Sequence, residues 1–343
     1  PFTKPQTGVR AVPLNTFHLG VDSRDPVANW ISISDAVPGD GHGLKGRLRY
    51  FDLSGALLKQ EAVNIPDGGR LDYAGHSGIG GGAGDAAGTA VFVPQSEMFS
   101  AYYLTVTRYF YDCGGASCTN FLAAMNIPYR PAADAELWGS LSSVAGELSV
   151  LELSNSAAAA AQVQVTVFDA AGFVLRDETY QVPPFSSRHL IMNRDGQNGA
   201  IYAETTAAVR TMTHQGQVSP IVFQYKLDWR GQLAYAYALP LTGSREALQL
   251  SQFNSFIGHA NTVEVANAAG CRIAFTLDVI DSAGKYLVRN SRYSVAAHGI
   301  TRIPLYLQPD KYGTVILQAD RDGLLSRTLI SRRGQYVISL LGE

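Results

Sequence analysis

The sequence predicts an all-β chain of three tandem β-sandwich domains joined by short linkers. Three observations predict it: apolar residues alternate with period two over short runs, one strand-and-turn segment occurs three times, and turn residues punctuate the whole chain. At 343 residues the chain is long enough for two or three domains of roughly 100–200 residues each. Hydrophobic residues make up 46% and charged residues only 16%, against a usual charged share of about 25%. The surface is therefore built from small polar residues, Gly and Tyr.

The chain opens with Pro1-Phe-Thr-Lys-Pro5, and its prolines favour an extended N-terminal arm over residues 1–14. The arm is expected to lie along its own domain rather than on another subunit. Next come apolar runs that close near an Asn in later copies: Ile31-Ser-Ile-Ser, Val150-Leu-Glu-Leu-Ser-Asn155 and Val263-Glu-Val-Ala-Asn267. The repeated segment follows, as Leu48-Arg-Tyr-Phe-Asp52-Leu-Ser-Gly55, Val165-Thr-Val-Phe-Asp169-Ala-Ala-Gly172 and Leu277-Asp-Val-Ile-Asp281-Ser-Ala-Gly284. Counting back in twos from each Asp gives Tyr50 and Leu48, Val167 and Val165, and Val279 and Leu277, one face of a strand. Asp at the first and Gly at the fourth position suit a turn, so Asp52, Gly55, Asp169, Gly172, Asp281 and Gly284 are structural corners. The apolar pairs Leu57 and Leu58, Val174 and Leu175, and Tyr286 and Leu287 return the chain as a hairpin. An Arg then opens the next strand in each copy (Arg70, Arg188, Arg302), where a charge discourages edge pairing.

A final long hairpin carries Gly at its tip in Trp229-Arg-Gly231 and Arg332-Arg-Gly334, whereas the first copy has Cys113-Gly-Gly-Ala-Ser-Cys118 there. About seven short strands per hundred residues is the profile of an immunoglobulin-like sandwich. The linkers fall at Arg130-Pro-Ala-Ala-Asp134 and Thr242-Gly-Ser-Arg245. The domains accordingly span 15–131, 132–243 and 244–343, with joints short enough that neighbours touch.

Net charge of −2 gives no field for nucleic acid or anionic membranes, and no run reaches the roughly 18 apolar residues of a membrane span. Pro1 in place of Met leads to the expectation of a processed or trimmed chain. The Cys113 and Cys118 spacing suits a disulfide across the hairpin tip, which would imply an oxidising compartment. The rival readings are an unpaired pair, or metal thiolates, which need two further ligands that the neighbouring sequence lacks. Cys271 reads as a buried or half-buried thiol.

Catalytic readings are weak. Gly75-His-Ser77-Gly-Ile-Gly80 lacks the last Gly of a nucleophile elbow, and the expected element after it is a strand rather than a helix. Asn193-Arg-Asp195 and Asp320-Arg-Asp322-Gly323 depart from calcium-loop spacing, and the histidines, among them His42, His76, His214, His259 and His298, are scattered singly. No metal site and no cofactor is expected. The late hairpins carry the most suggestive surface: Tyr103, Tyr109 and Tyr111 share one parity, Tyr102 and Phe110 the other, and Tyr225, Trp229 and Tyr235 follow in the second copy. Tyr103, Tyr109, Tyr111, Tyr225, Trp229 and Tyr235 are therefore candidates for binding a glycan or protein, with packing against a neighbouring domain as the alternative.

The thrice-repeated strand, its Asp-x-x-Gly turn and the late hairpin resemble the tandem immunoglobulin-like or fibronectin-III-like modules of bacterial secreted and cell-surface proteins. The antibody arrangement of a bridge around a core tryptophan is not present at Trp30 or Trp138. The resemblance is architectural and implies no catalytic residues. It implies a non-enzymatic extracellular structural or adhesive protein, a subunit of a surface filament, coat or other self-assembly, with self-association or another surface protein or glycan as partner. The alternative is a carbohydrate-binding or accessory module of a secreted enzyme; a hydrolase using Ser77 ranks last.

Overall fold

Period-two runs become strands throughout. The computed structural model describes all residues except 1–4, 17–26, 82–85, 97–100, 113–119, 129–135, 145–146, 193–205, 230–232, 244, 333–336 and 342–343, and all described side chains except those of 112, 120, 128 and 337–341. A first set of strands comprises β1 (Arg10–Asn15), β2 (Val27–Asp35), β3 (Leu44–Asp52), β4 (Leu57–Ile65), β5 (Arg70–Ala74), β6 (Ala87–Pro94), β7 (Tyr102–Asp112) and β8 (Asn120–Pro128). A second comprises β9 (Glu136–Ser142), β10 (Glu147–Asn155), β11 (Ala161–Phe168), β12 (Val174–Val182), β13 (Ser187–Ile191), β14 (Thr206–Gln215), β15 (Val218–Leu227) and β16 (Leu233–Pro240). A third comprises β17 (Leu248–Asn254), β18 (Ala260–Asn267), β19 (Ile273–Asp281), β20 (Tyr286–Val295), β21 (Ile300–Leu305), β22 (Tyr312–Ala319), β23 (Leu324–Ser331) and β24 (Val337–Leu341).

These strands form six four-stranded antiparallel sheets. In the first set the orders are β1-β6-β3-β4 and β5-β2-β7-β8, and adding eight, then sixteen, to each number reproduces both orders in the later sets. The two sheets of a set face each other across a core. Leu14, Leu48, Phe92, Ile31 and Leu104 fill the first core. Val163, Val165, Leu151 and Val222 fill the second, and Leu277, Val315, Val263 and Leu324 the third.

The repeated corners are built alike. Asp52 Oδ1 accepts the backbone N–H groups of Ser54 and Ala56, Asp169 Oδ1 those of Ala171 and Phe173, and Asp281 Oδ1 those of Ala283 and Lys285. Gly55 and Gly172 adopt φ of +87° and +88°, the left-handed region that glycine occupies without cost. Asn155 and Asn267, closing β10 and β18, donate from Nδ2 to three backbone carbonyls each and pin the loops around them.

Among the described residues each set has eight strands, against the seven or so expected. The expected extended segment lies along its own domain: residues 10–14 are part of β1, paired with β6 at the sheet edge, where Pro13 is tolerated because an edge strand needs fewer donors. Gly75–Gly78 forms a single helical turn, α1, with strand β6 as the next strand, and Ser77 on it is exposed. Cys271 is exposed rather than buried or half-buried, because it lies before β19 rather than in the strand. Cys113 and Cys118, and the first linker at 130–134, lie outside the described residues.

Candidate functional site

Alternation along β7 buries Tyr102 and Phe110 and leaves Tyr103, Tyr109 and Tyr111 half-buried on the outer face, the last two with ring centroids 6.4 Å from that of Phe121. Trp229 is 86% exposed. Tyr225 and Tyr235 are buried, so they offer no ring to a ligand: Tyr225 accepts a hydrogen bond from Arg108, and Tyr235 donates to Glu147 at 3.0 Å and stacks on Tyr237. Arg70, Arg188 and Arg302 do lie on edge strands, but in three different rows, opposite Ser34, Leu153 and Glu264. They therefore face different surroundings and share no common role. Asp322 Oδ1 accepts the N–H of Ala247, an ordinary turn contact, and Asn193, Asp195 and Asn198 lie outside the described residues.

The groups that sequence reasoning passed over are the buried ions, and they gather where one strand set meets the next. β10 and β15 are buried on both faces, one against β9, β11 and β14 of their own set and the other against the first set. Glu152 on β10 is fully buried there, and Arg108 on β7 is 1% exposed; Nη1 and Nη2 of the arginine each lie 3.3 Å from a carboxylate oxygen. Arg108 also donates to Asn29 Oδ1 at 3.2 Å and to the Tyr225 hydroxyl at 3.0 Å, and its guanidinium sits 4.4 Å from the Phe223 ring centroid. Burial alone would raise the Glu152 pKa, but the Arg108 guanidinium, together with hydrogen bonds from Arg108 and Asn15, holds it below the usual carboxylate range. Asn15 on β1 completes the cluster by donating to Glu152. Burial pushes His189 down, so its neutral ring accepts from Asn15 at Nδ1 and donates from Nε2 to Ser187, whose hydroxyl donates to Gly88 of the first set.

A second joint links the second and third sets through a carboxylate in the same row, but here the arginines belong to the carboxylate's own set and a serine crosses the joint. Glu264 occupies on β18 the row that Glu152 occupies on β10, counted from the Asn that closes each strand. Arg302 donates to Glu264 at 2.8 Å, and Arg327 and the Ser140 hydroxyl also contact it; Ser140 belongs to β9 of the second set. Burial would raise the Glu264 pKa, but Arg327 and Arg302 lower it on balance. Beside this cluster Trp138, Phe168 and His298 form a stack with centroid distances of 4.9–5.6 Å, and the Arg210 guanidinium lies 5.6 Å from the Phe168 centroid.

Both joints also use the Asp-x-x-Gly corner. A Cβ at Gly55 would fall 2.3 Å from the carbonyl oxygen of Pro184, and one at Gly172 would fall 1.8 Å from that of Ala297. The residue before each Asp stacks on a ring of the next set: Phe51 on Phe185 at 5.1 Å and Phe168 on His298 at 4.9 Å. Phe185 and His298 both hold a left-handed backbone, with φ of 53° and 58°. That conformation costs a non-glycine residue about 1–2 kcal/mol, so the stack must hold it in place. The equivalent residue of the first set is Gly68.

The joints hold their charges fixed. Glu152 and Glu264 are buried, and their arginine partners hold both pKa values below the usual carboxylate range. Among the described residues no three His, Cys, Asp or Glu side chains converge as a metal would require. Asp52, Asp169 and Asp281 are spread over three turns, with their oxygens turned to backbone N–H groups.

A pH dependence follows. Burial depresses His298, with Arg210 adding to the effect, and burial likewise depresses His189. The unfolded chain therefore takes up these protons first, and stability is complete above the unfolded histidine value of about 6.5 and declines as pH falls below it. The melting temperature should be level from pH 8 to 7 and fall below about 6.5. His298→Phe, the residue the first joint uses at this place, should shallow that fall; an unchanged slope would remove His298 from the account.

No protein-family model matches the chain, and no curated protein shows significant similarity to it.

Proposed function

We propose that the chain is a non-enzymatic structural protein: three immunoglobulin-like sandwich modules, one per strand set, locked into a fixed stack. One observation carries this reading. The buried carboxylates Glu152 and Glu264 lie at equivalent rows of two successive joints, Glu152 paired with Arg108 of the preceding set and Glu264 with Arg302 and Arg327 of its own set beside Ser140 of the preceding one. Buried ion pairs add little net stability, and in some proteins they serve to fix one arrangement, the role assigned to them here. A protein that bears load or displays surfaces at set distances needs stiff joints. A surface filament, coat or other extracellular assembly of bacterial type fits that requirement, with self-association or another surface protein as the partner class.

A second reading has its own observation. Trp30 (39% exposed), Tyr103, Tyr109, Tyr111 and Phe121 line the outer face of the β5-β2-β7-β8 sheet. Flat rings with a polar rim formed by Ser32, Arg70 and Asp72 suit a sugar chain, as an accessory module of a secreted enzyme would need.

Small-angle X-ray scattering of the full chain tests the first reading. Locked joints require one rigid conformer to fit the profile at low and high salt alike. A profile that needs a broad ensemble of module angles would overturn it.

A further inference from the structure

The two joints differ at one matched place. His189 on β13 stands opposite Glu152, and Arg302 on β21 stands opposite Glu264, in the same row. The second joint therefore holds a permanent cation where the first holds a ring that gains or loses a proton near neutral pH.

The bonds around His189 fix its protonation state. Asn15 Nδ2 can only donate, and it lies 3.4 Å from His189 Nδ1, so that nitrogen must accept. The carbonyl oxygen of Gly88 can only accept, so the Ser187 hydroxyl, 3.1 Å away, points its proton there. That hydroxyl must then accept from His189 Nε2, also at 3.1 Å. The result is a directed relay from Asn15 through His189 and Ser187 to Gly88, which leaves the first set on β1, passes through the second on β13 and returns to the first on β6. Only a neutral ring with its proton on Nε2 closes it. A second proton, on Nδ1, would face the Asn15 amide protons. The carboxylate oxygen of Glu152 is 3.7 Å from Nδ1 and already bonded by Arg108 and Asn15.

Burial opposes a charge on this ring first; Glu152 on β10 then attracts the proton and Arg108 on β7 repels it. Tyr225 on β15 and His76 of α1 join the cluster through Arg108 and Asn29. β6 has no ionisable residue, and Arg10, the one on β1, lies at the far end of that strand from Asn15.

We propose that His189 is a proton-operated latch of the first joint: neutral, it ties the first set to the second through the relay, and protonated, it breaks the relay and loosens that joint. The inference rests on the structural reading above and adds control to one of its joints. An opened joint returns the ring to water and to its ordinary value of about 6.5, so acid favours the open form. One pH unit below that value, linkage limits the effect to about tenfold.

Two measurements on the full chain test this. Nuclear magnetic resonance with isotope-labelled histidine should show the His189 ring, identified by its loss in His189→Gln or its shift in Ser187→Ala, titrating below about 6.5. Hydrogen exchange at about pH 7.5 and 5.5, corrected for intrinsic rates, should show β1 and β13 losing protection several-fold more than β20 and β22 of the third set. His189→Gln should remove that difference, and His298→Phe, at the second joint, should leave it. A His189 ring that titrates at or above about 6.5, equal changes in all four strands, or a difference that persists in His189→Gln would each overturn the proposal. An ordinary titration in a chain whose scattering at neutral pH fits one rigid conformer defeats this inference alone. A broad ensemble of module angles at neutral pH defeats the structural reading itself.

Discussion

Arg108→Ala should destabilise the chain by about 3–5 kcal/mol, read as a shift of the urea transition at neutral pH. The substitution leaves Glu152 fully buried with Asn15 and a neutral His189 as its remaining partners. It also takes the donor from Tyr225 and Asn29 and the cation from the face of Phe223. Most of the loss comes from the stranded carboxylate rather than from the worth of the pair. Arg108→Met combined with Glu152→Leu should therefore recover the greater part of it. If the single substitution behaves like a surface change, below about 0.5 kcal/mol, the first joint is not closed in solution.

Trp138→Ala should cost a similar amount, about 3–5 kcal/mol, for a different reason. The indole is 1% exposed, stacked between the two sets on Phe168 and His298, with its Nε1 donating to Glu136 at 2.8 Å. Removing it leaves a cavity bounded by rigid sheets, which relax little. The first joint offers a control, since it has Ala11 at this place and a phenylalanine, Phe185, at the place of His298. Adding His298→Phe to Trp138→Ala should restore part of the loss in a denaturation experiment at neutral pH. A double variant no better than the single would mean that the two joints are not interchangeable.

Much of the local structure was legible in the sequence because its causes are local. The Asp-x-x-Gly corners need only a side-chain acceptor and a left-handed glycine within four residues, and Asp52, Asp169 and Asp281 supply them in the same way. The parity of β7 likewise separated Tyr102 and Phe110 from Tyr103, Tyr109 and Tyr111. Parity cannot say which outer face another sheet covers, and Tyr225 and Tyr235 were lost as ligand-binding candidates for that reason: their faces are closed by residues far away in sequence. The joints nevertheless left a trace. Arg108 falls on the inward parity of β7, between Val106 and Phe110, where a charge requires a buried partner. Glu152 and Glu264 each stand three residues before the Asn that ends their strand, a coincidence between copies that the turn chemistry does not explain. In the first set a strand was missed because the prolines of the N-terminal segment suggested an arm where β1 forms an edge strand.

The central claim is that equivalent buried joints couple three strand sets into one folding unit, and scanning calorimetry of the intact chain at neutral pH tests it most directly. Coupled sets should melt in a single transition whose van't Hoff and calorimetric enthalpies agree. Two or three separable transitions, each with its own enthalpy and unaffected by Arg108→Ala or Trp138→Ala at the joints, would contradict it.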